Sequence, residues 1–430
     1  MRKKIFALSL LILSALCCGC GKEGKSQTEA PVVSTEAPVV STETPSTEIT
    51  FDLTESEAST DTETAGGTSS DDISMKDVED KVDIINGLIN ENFLFKDEEI
   101  NKEEGIYKGL LESLGDPYSV YYTKEEFDEL LEDNSGIYEG IGVQVSQNPE
   151  TKIITVTKVF KGSPAEEAGV MREDRIAGVG DYEFNGEDVA DVVKKIRGPE
   201  GTTVELKVYR PSIKDYVTMT VGRAKLENPT VEYEVLEGGI GLIRVTQFDD
   251  VTLEQYKSAI DALEAQNIKS LIVDVRDNPG GLVSTVTGML DYMLPEGLLL
   301  YTIDRDGNRT NEVSSTDAHT FDKPVVVLAN ENSASASEIF AGAMKDRGAA
   351  TVVGKNTFGK GIVQKIFPLT DGTGIKLTIS KYYTPSGNEI HKVGIKPDIE
   401  VDLPEELATQ SYIEKSDDTQ LQKAIEVLKK

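Results

Sequence analysis

Three serines stand together in Asn332-Ser333-Ala334-Ser335-Ala336-Ser337-Glu338-Ile339, and Gly359-Lys360-Gly361-Ile362-Val363-Gln364 follows shortly after. A serine hydroxyl becomes a nucleophile only when a nearby base takes its proton. The chain has 2 histidines, His319 and His391, and neither sits in the serine run. Both read as surface or loop residues. An amine is the usual replacement. Lysine serves as a base when apolar neighbours strip away water, lower its pKa and leave it neutral. Phe358, Gly359, Gly361 and Ile362-Val363 give Lys360 such neighbours. Read as a strand, Lys360 and Gln364 are four apart and face the same side. Gln364 is then expected to hydrogen-bond the amine and orient it, the supporting part a carboxylate takes in a histidine triad.

The elements around these residues suit the chemistry. Pro324–Ala329 is an apolar strand that feeds into a helix over Ser333–Lys345. A helix N-terminus offers free N–H groups and a partial positive charge to a developing oxyanion. A quieter reading competes with this one. Ser335-Ala336-Ser337-Glu338 is itself a capping box, so Ser335 could simply cap the helix. Ser333 and Ser337 are rival candidates in the same run. Upstream, Ile240–Val245 reads as a strand, Leu253–Ala265 as a helix and Leu271–Arg276 as a buried strand. Strand, helix, strand in this order predicts a βαβ core. Asp274, Arg276 and Asp277 are expected to hold that strand and the turn after it. No His, Asp, Glu or Cys cluster has metal-ligand spacing, so no metal or other cofactor is expected.

Composition removes several alternatives. In 430 residues, 76 acidic side chains face 44 basic ones, for a formal charge of −32. Nucleic-acid binders show a basic face, which this balance opposes. The 3 cysteines, Cys17, Cys18 and Cys20, all lie at the N-terminus, so the folded region has no thiol nucleophile and no disulfide. Met1-Arg2-Lys3-Lys4 followed by the apolar run Ile5–Leu16 reads as a secretory signal. Leu16-Cys17-Cys18-Gly19-Cys20-Gly21 resembles a bacterial lipoprotein cleavage box with Cys20 as the lipidated residue, against an ordinary cleaved signal or an uncleaved anchor. Either way an extracytoplasmic protein is expected, attached to the outer face of the membrane or secreted. Residues 21–72 are rich in Thr, Ser, Glu and Pro, with Thr28–Ser34 repeated at Thr35–Ser41, and read as a disordered spacer.

Residues 73–135 turn helical, with Val78, Val82, Ile85 and Ile89 at helical spacing, a glycine stop at Gly115 and a capping box at Thr123-Lys124-Glu125-Glu126. Asp116-Pro117-Tyr118-Ser119 is the turn between helices. Residues 136–222 hold short strands (Ile141–Val145, Ile153–Val159, Arg175–Val179, Val204–Val208, Val217–Val221) and one helix near Gly186–Ile196. Gly140-Ile141-Gly142-Val143, Gly162–Val170 and Asp174-Arg175-Ile176 resemble a PDZ domain. Glu173 stands where that family usually has glycine, which should loosen the turn. The resemblance implies that a peptide C-terminus adds a strand to the sheet edge, with its carboxylate on N–H groups of Gly140, Ile141, Gly142 and Val143. Val189 and Val193 would line the pocket for its last side chain.

The remaining motifs converge. Asp274–Gly281, Ser333–Ile339, Phe358–Gln364, Leu111–Ser119, Tyr383-Thr384-Pro385-Ser386-Gly387 and Gly394–Ile399 resemble the carboxyl-terminal processing proteases, tail-specific serine peptidases of clan SK, family S41. The resemblance spans roughly residues 75–430. It implies Ser335 as nucleophile, Lys360 and Gln364 as its partners, and an oxyanion hole from the Ala336 N–H and the Gly280-Gly281 turn, most of all Gly281. The separation 360 − 335 = 25 equals the family's. The implied fold is an α/β protease core of crotonase or Clp-like type over 223–405, an inserted PDZ domain, an N-terminal helical segment and a C-terminal helical segment over 406–430. Leu421, Ala424, Ile425 and Leu428 share one helix face and would pack on their own domain or against a second subunit, with the resemblance favouring a homodimer. The implied activity is endoproteolysis of unfolded or C-terminally exposed proteins. A catalytically silent peptide-binding adaptor is the alternative.

Overall fold

The computed structural model describes residues 74–95, 101–316, 318–404, 406–407 and 413–429. The signal, Cys20 and the spacer expected before residue 73 lie outside the described residues.

Three helices open the described chain: α1 (Met75–Asn92), α2 (Lys102–Glu112) and α3 (Lys124–Ser135), with the short strand β1 (Val120–Tyr122) between the last two. The capping box at Thr123 and Glu126 is present, and Gly136, in the left-handed region at φ 66°, ends α3. β1 does not stay with its helices. It pairs antiparallel with Ile375 and its neighbours, far along the chain.

β2 (Ile137–Gly140) leads out to the next domain and β9 (Ala224–Glu227) leads back, and the two pair as a two-stranded ribbon. Beyond it lie β3 (Val143–Gln147), β4 (Ile154–Val159), α4 (Pro164–Glu167), β5 (Arg175–Val179), β6 (Tyr182–Glu183), α5 (Val189–Ile196), β7 (Thr203–Arg210) and β8 (Asp215–Gly222). The sheet runs β3-β4-β5-β7-β8, with β6 on β5, so β3 is an edge strand. Alternate residues of these strands fill a core with Val189, Val192 and Ile196, as period-2 patterning requires. The loosened turn expected at Glu173 is instead kept. Glu173 takes φ 72° and donates its N–H to the Val156 carbonyl at 2.8 Å, holding a backbone that glycine would adopt without strain.

The core domain contains β10 (Val231–Leu236), β11 (Ile240–Val245), α6 (Thr252–Ala265), β12 (Ser270–Asp274), α7 (Val283–Met293), β13 (Gly297–Asp304), β14 (Arg309–Ser315), β15 (Val325–Ala329), α8 (Ala336–Asp346), β16 (Ala350–Gly354), β17 (Ile362–Pro368), β18 (Gly374–Tyr383), β19 (Ile399–Glu400) and α9 (Thr419–Leu428). One sheet has the order β10-β11-β12-β15-β16-β19, parallel from β11 onward. Both of its faces are covered, which explains strands that are apolar throughout. Val273 and Val327 face α6, α7 and α8, while Ile272 and Val326 face the C-terminal helix. Leu421 and Ala424 of α9 are buried there, so this helix packs on its own domain. Full burial of a leucine such as Leu421 contributes roughly 1.5–3 kcal/mol. The second sheet contains β14, β13, β18 and β17, and β1 joins it against β18.

Candidate active site

The serine run is sorted by its hydrogen bonds. Ser333 is buried, donates from Oγ to the Val275 carbonyl at 2.7 Å and accepts from the Asn330 N–H at 2.9 Å. Ser337 is buried and donates to the Asn278 carbonyl at 2.9 Å. The two hydroxyls tie the turn after β15 and the first turn of α8 to the segment after β12. Ser335 alone of the three keeps partial exposure. Its backbone has φ 54° and ψ −114°, a sparsely populated region for a residue with a side chain. The surroundings hold it there. The Ala334 N–H donates to the Asn278 carbonyl at 3.0 Å, and the Ser335 N–H donates to the Glu338 carboxylate at 2.9 Å. The acidic half of the capping box is therefore present and fixes the serine, while the Glu338 N–H donates to the Ser335 carbonyl at 2.9 Å.

Two glycines approach this corner closely. A Cβ on Gly280 (φ 110°) would stand 2.7 Å from Ser335 Cβ, and one on Gly281 (φ 144°) would stand 2.3 Å from the Phe248 carbonyl oxygen. Neither position tolerates a side chain. The Gly280 N–H is engaged by Asn278 Oδ1 at 2.9 Å. Among the described residues, no acceptor meets the N–H of Gly281 or of Ala336, the first residue of α8. Asp277 accepts from Asn330 Nδ2 and Asn332 Nδ2, both at 2.8 Å. Asp274 and Asp418 together grip Arg276, tying the N-cap of α9 to the end of β12. The carboxylates expected to hold this turn do so.

Lys360 lies just ahead of β17 rather than on it, which departs from the same-face expectation. The strand begins only at Ile362, and the register shift between Val363 and Gln364 leaves its extra residue, Ile379, on the partner strand β18. Gln364 Nε2 points to Thr378 Oγ1 at 3.3 Å and the Ile362 carbonyl at 3.4 Å. Among the described residues, no hydrogen bond joins Lys360 Nζ to Ser335 or Gln364; the amine sits over the face of the Tyr118 ring, 4.3 Å from its centre. Burial lowers the Lys360 pKa, Lys376 lowers it further, and Asp116 and Glu338 oppose them.

The carboxylate of Glu338 joins the two halves. It accepts from the Ser335 N–H at 2.9 Å, the Gly359 N–H at 2.7 Å, the Lys360 N–H at 2.8 Å and Thr357 Oγ1 at 2.6 Å. Burial raises its pKa, and these four donors pull it down. The buried Tyr382 hydroxyl donates to the Lys360 carbonyl. Sequence reading gave Glu338 only a capping role and missed Tyr382 and Tyr118, whose partners are remote in the chain. His391 lies in a turn and is half-buried, with its pKa lowered by burial and then by Lys392 and Lys381. His319 stacks on Tyr292 with ring centres 3.8 Å apart.

In the inserted domain, the left-handed Gly142 packs where a Cβ would meet Ser163 Cβ at 2.1 Å, and its carbonyl accepts from Ser163 Oγ at 3.1 Å. Ile141 and Val143 turn into the domain core, and Gly140 ends the ribbon opposite Ala224. Val189 is also a core residue, 2% exposed, because its side chain completes the apolar layer under α5; Val193 keeps partial exposure and packs against the same core. Among the described residues no group of three His, Cys, Asp or Glu side chains is placed to hold a metal.

Comparison with known proteins agrees with both domains. The model of peptidase family S41 matches residues 239–401, and a PDZ domain model matches residues 155–210. The carboxy-terminal processing protease CtpB of Bacillus subtilis (strain 168) is 38% identical over 330 residues, covering 76% of this chain and 68% of that protein. The carboxyl-terminal-processing protease of Synechocystis sp. is 34% identical over 334 residues, covering 76% of this chain and 78% of that protein. Among solved structures, the photosystem II D1 C-terminal processing protease matches with a TM-score of 0.44 at 26% identity, over 74% of this chain and 89% of that one. A serine corner with both neighbouring serines committed to structure, a glycine turn pressed against it and a PDZ domain on a ribbon thus occur in a chain that belongs to peptidase family S41, among the carboxy-terminal processing serine proteases.

Proposed function

We propose that Ser335 is the nucleophile, Lys360 its general base, and the N–H groups of Ala336 and Gly281 the oxyanion hole. The observation that carries this reading is the shared clamp: one buried carboxylate, Glu338, bonds the backbone N–H of Ser335 and of Lys360. Two residues that act together need a fixed separation. Neutral Lys360 takes the proton from Ser335 Oγ as the oxygen attacks the scissile carbonyl. The carbonyl oxygen becomes an oxyanion met by two N–H donors at the start of α8 and in the glycine turn. The ammonium returns the proton to the leaving amine, an ester remains on Ser335, and water activated by the same amine releases the acid. Gln364 orients the amine once it leaves Thr378.

The edge strand β3 supports substrate selection. An extended chain end adds beside β3, with Val193 flanking its last side chain and the Gly140–Val143 loop at its carboxylate. The parallel sheet with helices on both faces suits a crotonase or Clp-like core. The N-terminal sequence supports action outside the cytoplasm on unfolded or C-terminally exposed proteins, with a lipid on Cys20 as the membrane attachment.

Cleavage of an unfolded protein with an apolar C-terminus tests the dyad. Ser335→Ala and Lys360→Ala are each expected to lower kcat by about 10⁴-fold or more. Wild-type rates in either variant would refute the assignment, and an inactive wild type that still binds C-terminal peptides would establish the adaptor reading.

A further inference from the structure

The Asp116-Pro117-Tyr118-Ser119 turn comes from the N-terminal segment, yet it reaches both partners of the candidate nucleophile. Tyr118 presents its ring face to Lys360 Nζ at 4.3 Å. One residue on, buried Ser119 accepts from the Thr378 N–H at 3.1 Å, and the Thr378 hydroxyl in turn accepts from Gln364 Nε2 at 3.3 Å. The turn is itself braced. Asp116 accepts from Ser119 Oγ at 2.6 Å and from the Tyr118 N–H at 3.2 Å. β1 then leaves directly for its pairing with β18. A short piece of chain thus touches the amine, and through Thr378 the amide, while neither reaches the other.

We propose that Tyr118 is a positioning residue for Lys360, its ring parking the amine off Ser335 and Gln364 until the Asp116–Ser119 turn moves. The proposal rests on Lys360 being the base. An aromatic face favours the charged amine, so the parked lysine keeps a proton that it must lose before it can accept one from serine. The charged groups facing the amine are Lys376 on β18, Asp116 in the turn and Glu338 on α8, and burial acts with Lys376 against the charge. Release of the turn removes the ring, frees Thr378 from Ser119 and lets Gln364 turn toward the amine. Any event that shifts the N-terminal helices relative to the second sheet, such as a substrate chain entering between them, would then switch the base on.

The test is the pH dependence of kcat/KM for an unfolded protein substrate with the full chain. Tyr118→Leu keeps apolar bulk and loses the ring. It is expected to shift the ascending limb down by roughly 0.5–1 pH unit, with activity on that limb rising about three- to tenfold. Tyr118→Phe keeps the ring face and restores the wild-type limb. Ser119→Ala, which loosens the turn from the other end, is expected to shift the limb in the same direction as Tyr118→Leu. An unmoved or raised limb in Tyr118→Leu, or an equal shift in Tyr118→Phe, overturns the proposal, and if Tyr118→Leu fails to fold, an unmoved limb in Ser119→Ala does so. Lys360→Ala separates the two readings: full activity there defeats the base assignment, whereas inactivity there with unmoved limbs elsewhere defeats the parking role alone.

Discussion

The proposed nucleophile and its proposed base are held by different kinds of structure. Ser335 belongs to the interior: β15 and α8 meet there, Asn278 and Glu338 fix its neighbours, and its strained φ is imposed from several sides. Lys360 shares the clamp through its backbone only. Its side chain lies at a seam, with β18 on one side and the turn before β1 on the other. Oxyanion stabilisation rewards donors that do not reorganise during the reaction. A base has a lesser demand, since it must only arrive neutral and within reach. The difference teaches that the costly precision sits where charge develops, and that control can be exerted on the partner that is free to move.

Three substitutions probe this division. The largest effect is expected from Gly281→Ala on the rigid side, because the new Cβ would lie 2.3 Å from the Phe248 carbonyl oxygen. A displaced oxyanion donor lowers kcat by about 10²–10³-fold, read by steady-state cleavage at constant folded fraction; a loss under about tenfold would move the oxyanion site elsewhere. Glu338→Gln acts on both sides at once. It sets an amide donor against the N–H groups of Ser335, Gly359 and Lys360, and kcat is expected to fall about 10²-fold with KM little changed. Recovery of that loss at high pH would mean that only the base had been disturbed.

The smallest expected effect lies at the foot of the ribbon and is read as stability. Asp249 is buried beside Gly136 and accepts from Asn228 Nδ2 at 3.3 Å; burial pushes its pKa up to about 7, against those bonds, with Asp133 adding to the rise. The folded pKa lies above the unfolded value of about 3.9. The folded state therefore binds this proton more tightly. Its stabilising contribution is complete below about pH 4 and is lost as pH rises through about 7. Asp249→Asn is expected to flatten that slope and to raise Tm more at alkaline than at acid pH, measured by thermal unfolding across that range. Parallel Tm–pH curves for the two proteins would show that Asp249 carries no such proton.

Much of this was legible in the chain. The PDZ strands, the βαβ core and the serine corner followed from period-2 apolar runs, glycine turns and a strand running into a helix, all of which are local signals. Ser333 and Ser337 could not be set aside without knowing that Val275 and Asn278 lie above them. The same-face argument for Lys360 and Gln364 failed because Lys360 lies ahead of β17, outside the period-2 run on which the argument rests. The reach of the Tyr118 turn to Lys360 was hidden for another reason: β1 finds β18 across the length of the molecule, and no local pattern encodes that pairing. Val189 was misplaced because helical spacing gives a face but not its depth.

The ribbon β2–β9 has one further consequence. Gly140 stands opposite Ala224, so the chain leaves and re-enters the protease through two points one strand spacing apart, about 5 Å. The PDZ domain is therefore a cassette plugged into a hairpin. A short turn from Gly140 to Ala224 would close that hairpin in its absence, and a different recognition domain with adjacent termini would fit the same socket. In the proposed reading, substrate choice and bond cleavage are joined at this ribbon, and the ion pairs Arg197–Glu132, Lys194–Glu129 and Lys158–Glu232 brace the domain beside it.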